Sequence, residues 1–203
     1  MLSGLPVTTV LRTAMDCAFD LPAREAICVV DSAVRALARP SRCHPEASEH
    51  RMATVRHRLQ DMIAAQGPRP GARRARALLE ITSGLVESPG ESLLHWFVRA
   101  LGLPVPRLQM RIEDTNRPRI YFPDEAWPEY MALAEFDGQV KYMSPEDLWK
   151  EKQRHDALAR MGWRIEHFIW NDFSDLTALR HRFMTLLPPA AVRTARPVAD
   201  LWR

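Results

Sequence analysis

Met131-Ala132-Leu133-Ala134-Glu135-Phe136-Asp137-Gly138 decides the fold: a near-continuous apolar run, interrupted by one carboxylate and closed by an Asp-Gly pair. Apolar character at successive positions suits a central strand covered on both faces of a sheet. A glutamate inside such a strand is costly unless it binds a metal or finds a partner. Glu135 is therefore the most informative residue in the chain. It is either a metal ligand, a carboxylate satisfied by an arginine, or a side chain on a solvent-facing edge.

Working outward, Arg107 to Glu113 and Arg119 to Phe122 read as two earlier strands, and Trp163 to Trp170 as a later one. Between them, Ser144-Pro145-Glu146 opens a helix with Leu148, Trp149, Leu158 and Met161 as core candidates and Gly162 at its end. Upstream, Ser88-Pro89-Gly90-Glu91 has a cap serine, a first-turn proline and a glutamate three residues after the cap, which make a capping box. The helix it opens carries Leu93, Leu94, Phe97, Val98 and Leu101 as one stripe. Ser174 caps a last helix to about Leu186, and Pro188-Pro189 introduces a tail expected to be loosely ordered. The order from Ser88 is α-β-β-β-α-β-α, which predicts a sheet with helices on its two faces.

The first 85 residues show no strand pattern. Pro22 sits at the start of a helix to about Arg39, with Ile27, Val30, Val34 and Leu37 at helical spacing and Pro40 stopping it. Met52, Val55, Leu59, Met62 and Ile63 mark another amphipathic helix, ended by Gly67-Pro68-Arg69-Pro70-Gly71, and a short Arg-rich helix follows to about Ile81. The expected organisation is a helical segment over 1–85, an α/β domain over 86–187 and a tail over 188–203.

The chain has 203 residues, 46% of them hydrophobic and 26% charged, enough for one large domain or a domain with an appendage. No run approaches a membrane span, and Met1 to Ala14 lacks a cationic start, so neither membrane insertion nor secretion is expected. Cys17, Cys28 and Cys43 have no paired short spacing, which fits a reducing cytoplasm. A net charge of +3 is too small to argue for nucleic acid. Its distribution says more: Ser41 to Ser83 holds eight arginines, no lysine and four acids, with Arg73, Arg74 and Arg76 close together. These read either as a solvated helix face or as phosphate contacts.

Asp124-Glu125-Ala126-Trp127-Pro128-Glu129, Glu135-Phe136-Asp137-Gly138-Gln139-Val140-Lys141-Tyr142, Glu151-Lys152-Gln153-Arg154-His155-Asp156-Ala157-Leu158 and Gly162-Trp163, in that order, resemble the very-short-patch-repair-like branch of the PD-(D/E)XK nucleases. Within it they are similar to actinobacterial proteins known only as domain of unknown function 559. The resemblance covers roughly residues 87–187 and implies a restriction-endonuclease-like αβββαβ core with a four-stranded mixed sheet. Metal-dependent DNA endonuclease activity follows from it as an expectation, in DNA repair or phage defence.

By that resemblance Asp124 and Glu135 would be the paired metal carboxylates, with the Phe136 carbonyl as a further ligand and Glu91 as an accessory acid. Mg²⁺ or Mn²⁺ is the implied ion, since one or two carboxylates and a substrate phosphate commonly hold it. Asp137 stands where the superfamily has a lysine, and Lys141 where many relatives have a histidine. Each has a plainer reading. Glu91 completes the capping box, Asp137-Gly138 makes a tight turn, and Lys152 with Asp156 forms a surface ion pair unless Lys152 or Arg154 contacts phosphate. His155 reads as a surface or packing histidine. Pro123 beside Asp124 cannot donate to a ladder, so the strand must end or lie at an edge there.

The segment Gly4-Leu5-Pro6-Val7-Thr8-Thr9 with the helix after it resembles the middle of proteins similar to the type IV abortive-infection antitoxin, which commonly carry a preceding winged helix. That domain is not among these 203 residues. A non-catalytic DNA-binding regulator or toxin-antitoxin component on a degraded nuclease fold is the alternative expectation.

Overall fold

The structure is a computed structural model that describes residues 5–138 and 145–203. Its packing forms two compact units, one from residues 1–100 with 198–203 and one from residues 101–197.

The first unit is all-helical: α1 (Val10–Asp20), α2 (Ala23–Ala38), α3 (Pro45–Ala65), α4 (Ala72–Ile81) and α5 (Pro89–Ala100). Thr9 caps α1 by accepting the Arg12 amide at 3.2 Å. Helix α2 stops where Arg39 turns left-handed ahead of Pro40. Ile27, Val30 and Val34 are fully buried, whereas Leu37, expected beside them, is exposed. Met52, Val55, Leu59 and Ile63 form the buried stripe of α3. Half of the expected capping box forms: Ser88 Oγ accepts the Glu91 amide at 3.2 Å, while the Glu91 carboxylate accepts the amide of Glu87, one residue before the cap, at 2.7 Å.

Two expectations change in this unit. Helix α5, expected in the α/β domain beyond a boundary at 85/86, is buried almost all round, including His95 and Trp96, and packs against α2 in the helical unit. A single apolar stripe did not reveal that both of its faces are covered. The supposedly loose tail is also built in. Trp96 donates to the Leu201 carbonyl at 2.9 Å, Trp202 donates to Ala100 at 2.9 Å, and the Trp202 ring lies edge-on to Trp96 and Phe97. Two aromatic anchors outweigh the two prolines that suggested looseness.

The second unit contains β1 (Arg107–Leu108), β2 (Ile112–Glu113), β3 (Ile120–Tyr121), β4 (Glu125–Trp127), β5 (Ala132–Phe136), α6 (Pro145–Arg160), β6 (Arg164–Phe168), α7 (Leu176–Leu186) and α8 (Pro189–Arg193). A four-stranded mixed sheet runs β1-β4-β5-β6, antiparallel except for the parallel β5/β6 pair joined through α6. Strands β2 and β3 form a separate antiparallel pair. The single strand expected over 107–113 is thus split, at Gln109 with φ near 50°. Strand β4 lies after Asp124, so this aspartate precedes a strand of the main sheet instead of following one.

Alternation along β5 and β6 sorts their side chains between two helices. Leu133 and Ile165 pack with Ala157 and Leu158 of α6, while Phe168 stacks on Phe183 of α7 with ring centroids 4.6 Å apart. Glu135 and His167, two residues on from Leu133 and Ile165, therefore share the α6 face. Only the later part of α6 packs into this core. Leu148 and Trp149, expected there, are 57% and 60% exposed. The last long helix is capped by Asp175, which accepts the Thr177 and Ala178 amides, and not by Ser174.

Candidate metal centre

Parallel pairing of β5 and β6 sets Glu135 beside His167, and α6 passes over them with Glu151 and Arg154 three residues apart on one helix face. Glu135 is 4% exposed, and Arg154 grips it with both terminal nitrogens, Nη1 at 2.6 Å from Oε2 and Nη2 on Oε1. The same Nη1 donates to Glu151 at 3.1 Å. Burial works against the Arg154 charge, but hydrogen bonds and attraction from Glu135 and Glu151 win and hold its pKa above the ordinary arginine value. Glu135 thus has the arginine partner that one of its readings required.

His167 Nδ1 lies 3.0 Å from Asp137 Oδ2, and His155 from α6 tilts over the His167 ring at 6.0 Å. The Asp137 hydrogen bond, opposed by burial and helped by the charges of Asp137, Glu135 and Glu151, raises the His167 pKa. Glu135, Glu151 and His167 each offer a ligand atom, and those atoms lie within 4.8 Å of one another. Two carboxylates and an imidazole at that spacing form a donor set suited to a divalent ion. Donation from Nδ1 to Asp137 would leave the Nε2 lone pair as the ligand, the arrangement that commonly orients a metal-binding histidine.

Asp124 does not join this set. Continuing the β4/β5 register places it across from Glu135, but its Oδ2 accepts the Phe136 amide at 2.8 Å and its Oδ1 accepts from Gln109 at 3.2 Å. Asp124 and Glu135 are thus held by different partners, Asp124 by the Phe136 amide and Gln109 and Glu135 by Arg154. Arg154, expected at phosphate, is occupied by acids, while Lys152 beside it is exposed. Glu91 belongs to the helical unit, where Glu87 and Ser88 take up its capping bonds. Lys141 lies outside the described residues. Arg73, Arg74 and Arg76 stand on α4 in the helical unit.

Glu151 and His167 were not singled out in the sequence. Their one signal was indirect: a histidine two positions after Ile165 in a strand, and an acid one helical step before an arginine.

The second unit is thus a mixed α/β fold in which the sheet and α6 bring together two acids and a histidine that could hold a metal ion. Over 171 residues, the chain is 28% identical to two uncharacterized proteins of Mycobacterium tuberculosis, MT2308 of strain CDC 1551 / Oshkosh and Rv2248 of strain ATCC 25618 / H37Rv. The match covers 84% of this chain and 57% of each relative, so the chain spans little more than half their length. No family model matches, and no solved structure matches. Among the described residues, no helix is long and apolar enough to cross a membrane.

Proposed function

We propose that the α/β unit hydrolyses DNA phosphodiester bonds with a divalent metal held by Glu135, Glu151 and His167. The observation that carries this reading is the convergence of those three ligand atoms within 4.8 Å on one face of the sheet. The order of strands and helices, and the resemblance to PD-(D/E)XK nucleases over residues 87–187, support it. The donor set differs from the Asp124 and Glu135 pair which that resemblance implies. Its imidazole suits Mn²⁺ better than Mg²⁺.

A metal bound there would polarise the phosphate and lower the pKa of an attacking water. The protein's own residues supply the rest. Arg154 guards Glu135 and Glu151 as their counter-charge, and on release its planar fork can take two phosphate oxygens. Asp137 orients the His167 ring. Asp124, by holding the Phe136 amide, fixes the end of β5 that presents Glu135.

The test is a cleavage assay on the whole protein with plasmid, single-stranded, mismatched and branched DNA. Nicking with Mn²⁺ exceeding that with Mg²⁺, none with a chelator, and loss in Glu135→Gln and Glu151→Gln variants of native circular dichroism are the expected results. Absence of cleavage on every substrate with either ion would overturn the proposal.

One observation favours a second reading: the Glu135 charge is already neutralised by Arg154. In that case the unit is a non-catalytic DNA-binding scaffold. Metal-independent, salt-sensitive DNA retention, unchanged in Glu135→Gln, distinguishes it.

A further inference from the structure

The helical unit contains a cleft of about 360 Å³ at the start of α4, lined by Arg69, Arg73, Arg74, Arg76 and Arg203, with Asp200 as the only acid. Five guanidinium groups around one carboxylate are an unusual concentration of positive charge for a chain whose net charge is +3. Their engagements differ. Arg74 is structural: its guanidinium donates to the Ala18 and Phe19 carbonyls at the end of α1. Arg69 lies over the Phe19 ring at 4.2 Å and pairs with Asp20 at 3.3 Å. Arg73 and Arg203 share Asp200 through long contacts of 3.6 and 3.7 Å, and Arg76 has no partner among the described residues. After all pairings the cleft keeps an excess of positive charge.

The backbone adds to it. Gly71 precedes α4 with φ near 82°, and α4 has no side-chain cap on its first-turn amides. A Cβ at Gly71 would come within 2.4 Å of the Phe19 carbonyl, so this close junction with α1 accepts only glycine. A ten-residue helix therefore points the positive end of its dipole into the same arginine-lined space. Arginine supplies every cation, and its fork matches the oxygens of a phosphate group.

We propose that this cleft binds a terminal phosphate group, a phosphomonoester dianion or free phosphate, through Arg73, Arg76 and Arg203. A dianion answers the surplus charge better than a singly charged internal phosphodiester, and a cleft of this volume holds one compact group. The proposal is independent of the nuclease reading, because none of its residues belongs to the α/β unit.

The test uses the whole protein in calorimetric titrations at matched ionic strength with chloride as the reference anion. The probes are inorganic phosphate, a 5′-phosphorylated tetradeoxynucleotide and the same oligonucleotide with a 5′-hydroxyl. Saturable phosphate binding is expected, weakened about tenfold by Arg76→Ala and further by Arg73→Ala with Arg76→Ala. Both arginines are exposed, so unaltered thermal unfolding without ligand checks the fold. Tighter binding of the phosphorylated oligonucleotide than of inorganic phosphate assigns the ligand to a nucleic-acid end, and equal binding assigns it to free phosphate. Equal binding of the two oligonucleotides, no phosphate binding beyond chloride, or wild-type affinity in the double variant would overturn the proposal.

Discussion

Glu135 and Asp31 are carboxylates in comparably apolar places, and their neighbours give them different burdens. Asp31 is fully buried, and burial pushes its pKa up to about 7 despite the Ser83 amide at 2.8 Å, His95 and Ser92. Between the ordinary value of 3.8 and about 7 the folded protein keeps a proton that the unfolded chain releases. Stability contributed by this group is thus complete below the unfolded value and lost as pH rises through that window, by at most about 1.4 kcal/mol per pH unit. Asp31→Asn should accordingly gain on the native protein at about pH 8 relative to about pH 4. Urea unfolding at both pH values measures this, and an equal gap at each would refute it. For Glu135 the burden is borne by Arg154. Arg154→Ala leaves a buried carboxylate without its counter-charge, and a loss of about 3 kcal/mol is expected. If the cluster accepts a cation, Mn²⁺ should return most of that loss in thermal unfolding, and an indifferent melting curve would count against the metal centre.

At the level of elements, glycine positions give a controlled comparison. Gly67 and Gly71 both have positive φ, but a Cβ at Gly67 meets nothing within 4 Å whereas one at Gly71 meets the Phe19 carbonyl. Gly67→Ala should cost about 1 kcal/mol from conformation alone. Gly71→Ala should cost more, because backbone must move as well, and denaturant midpoints of the two variants should rank in that order. Elements with local signals were legible in the sequence: the serine cap of α5, the proline-bounded α2 and the buried run of β5. Strand β4 was not, since its three residues, Glu125–Trp127, are too few to show a period of two. The candidate site was half legible. Glu135 stood out by its apolar flanks, but its partners depend on the parallel register that brings His167 alongside and on the crossover that brings Glu151 and Arg154 overhead. Neither register nor crossover leaves a local spacing to read.

On the scale of the whole molecule, the helical unit is discontinuous in sequence, with residues 198–203 returning to it after the α/β unit. Trp202→Ala removes both the hydrogen bond to Ala100 and the edge-on contacts with Trp96 and Phe97. Its expected cost is about 2 kcal/mol, seen as an earlier unfolding transition of the helical unit by tryptophan fluorescence and circular dichroism. An unchanged transition would mean that the returning segment adds no support. The same arrangement dictates a schedule during synthesis. Helices α1 to α5 leave the ribosome before the α/β unit but lack their closing aromatic clasp, Trp202, until 102 residues beyond Ala100 have been translated. The nascent protein must therefore hold an unfinished hydrophobic surface while its second half is still being made, an interval in which chaperone capture competes with folding.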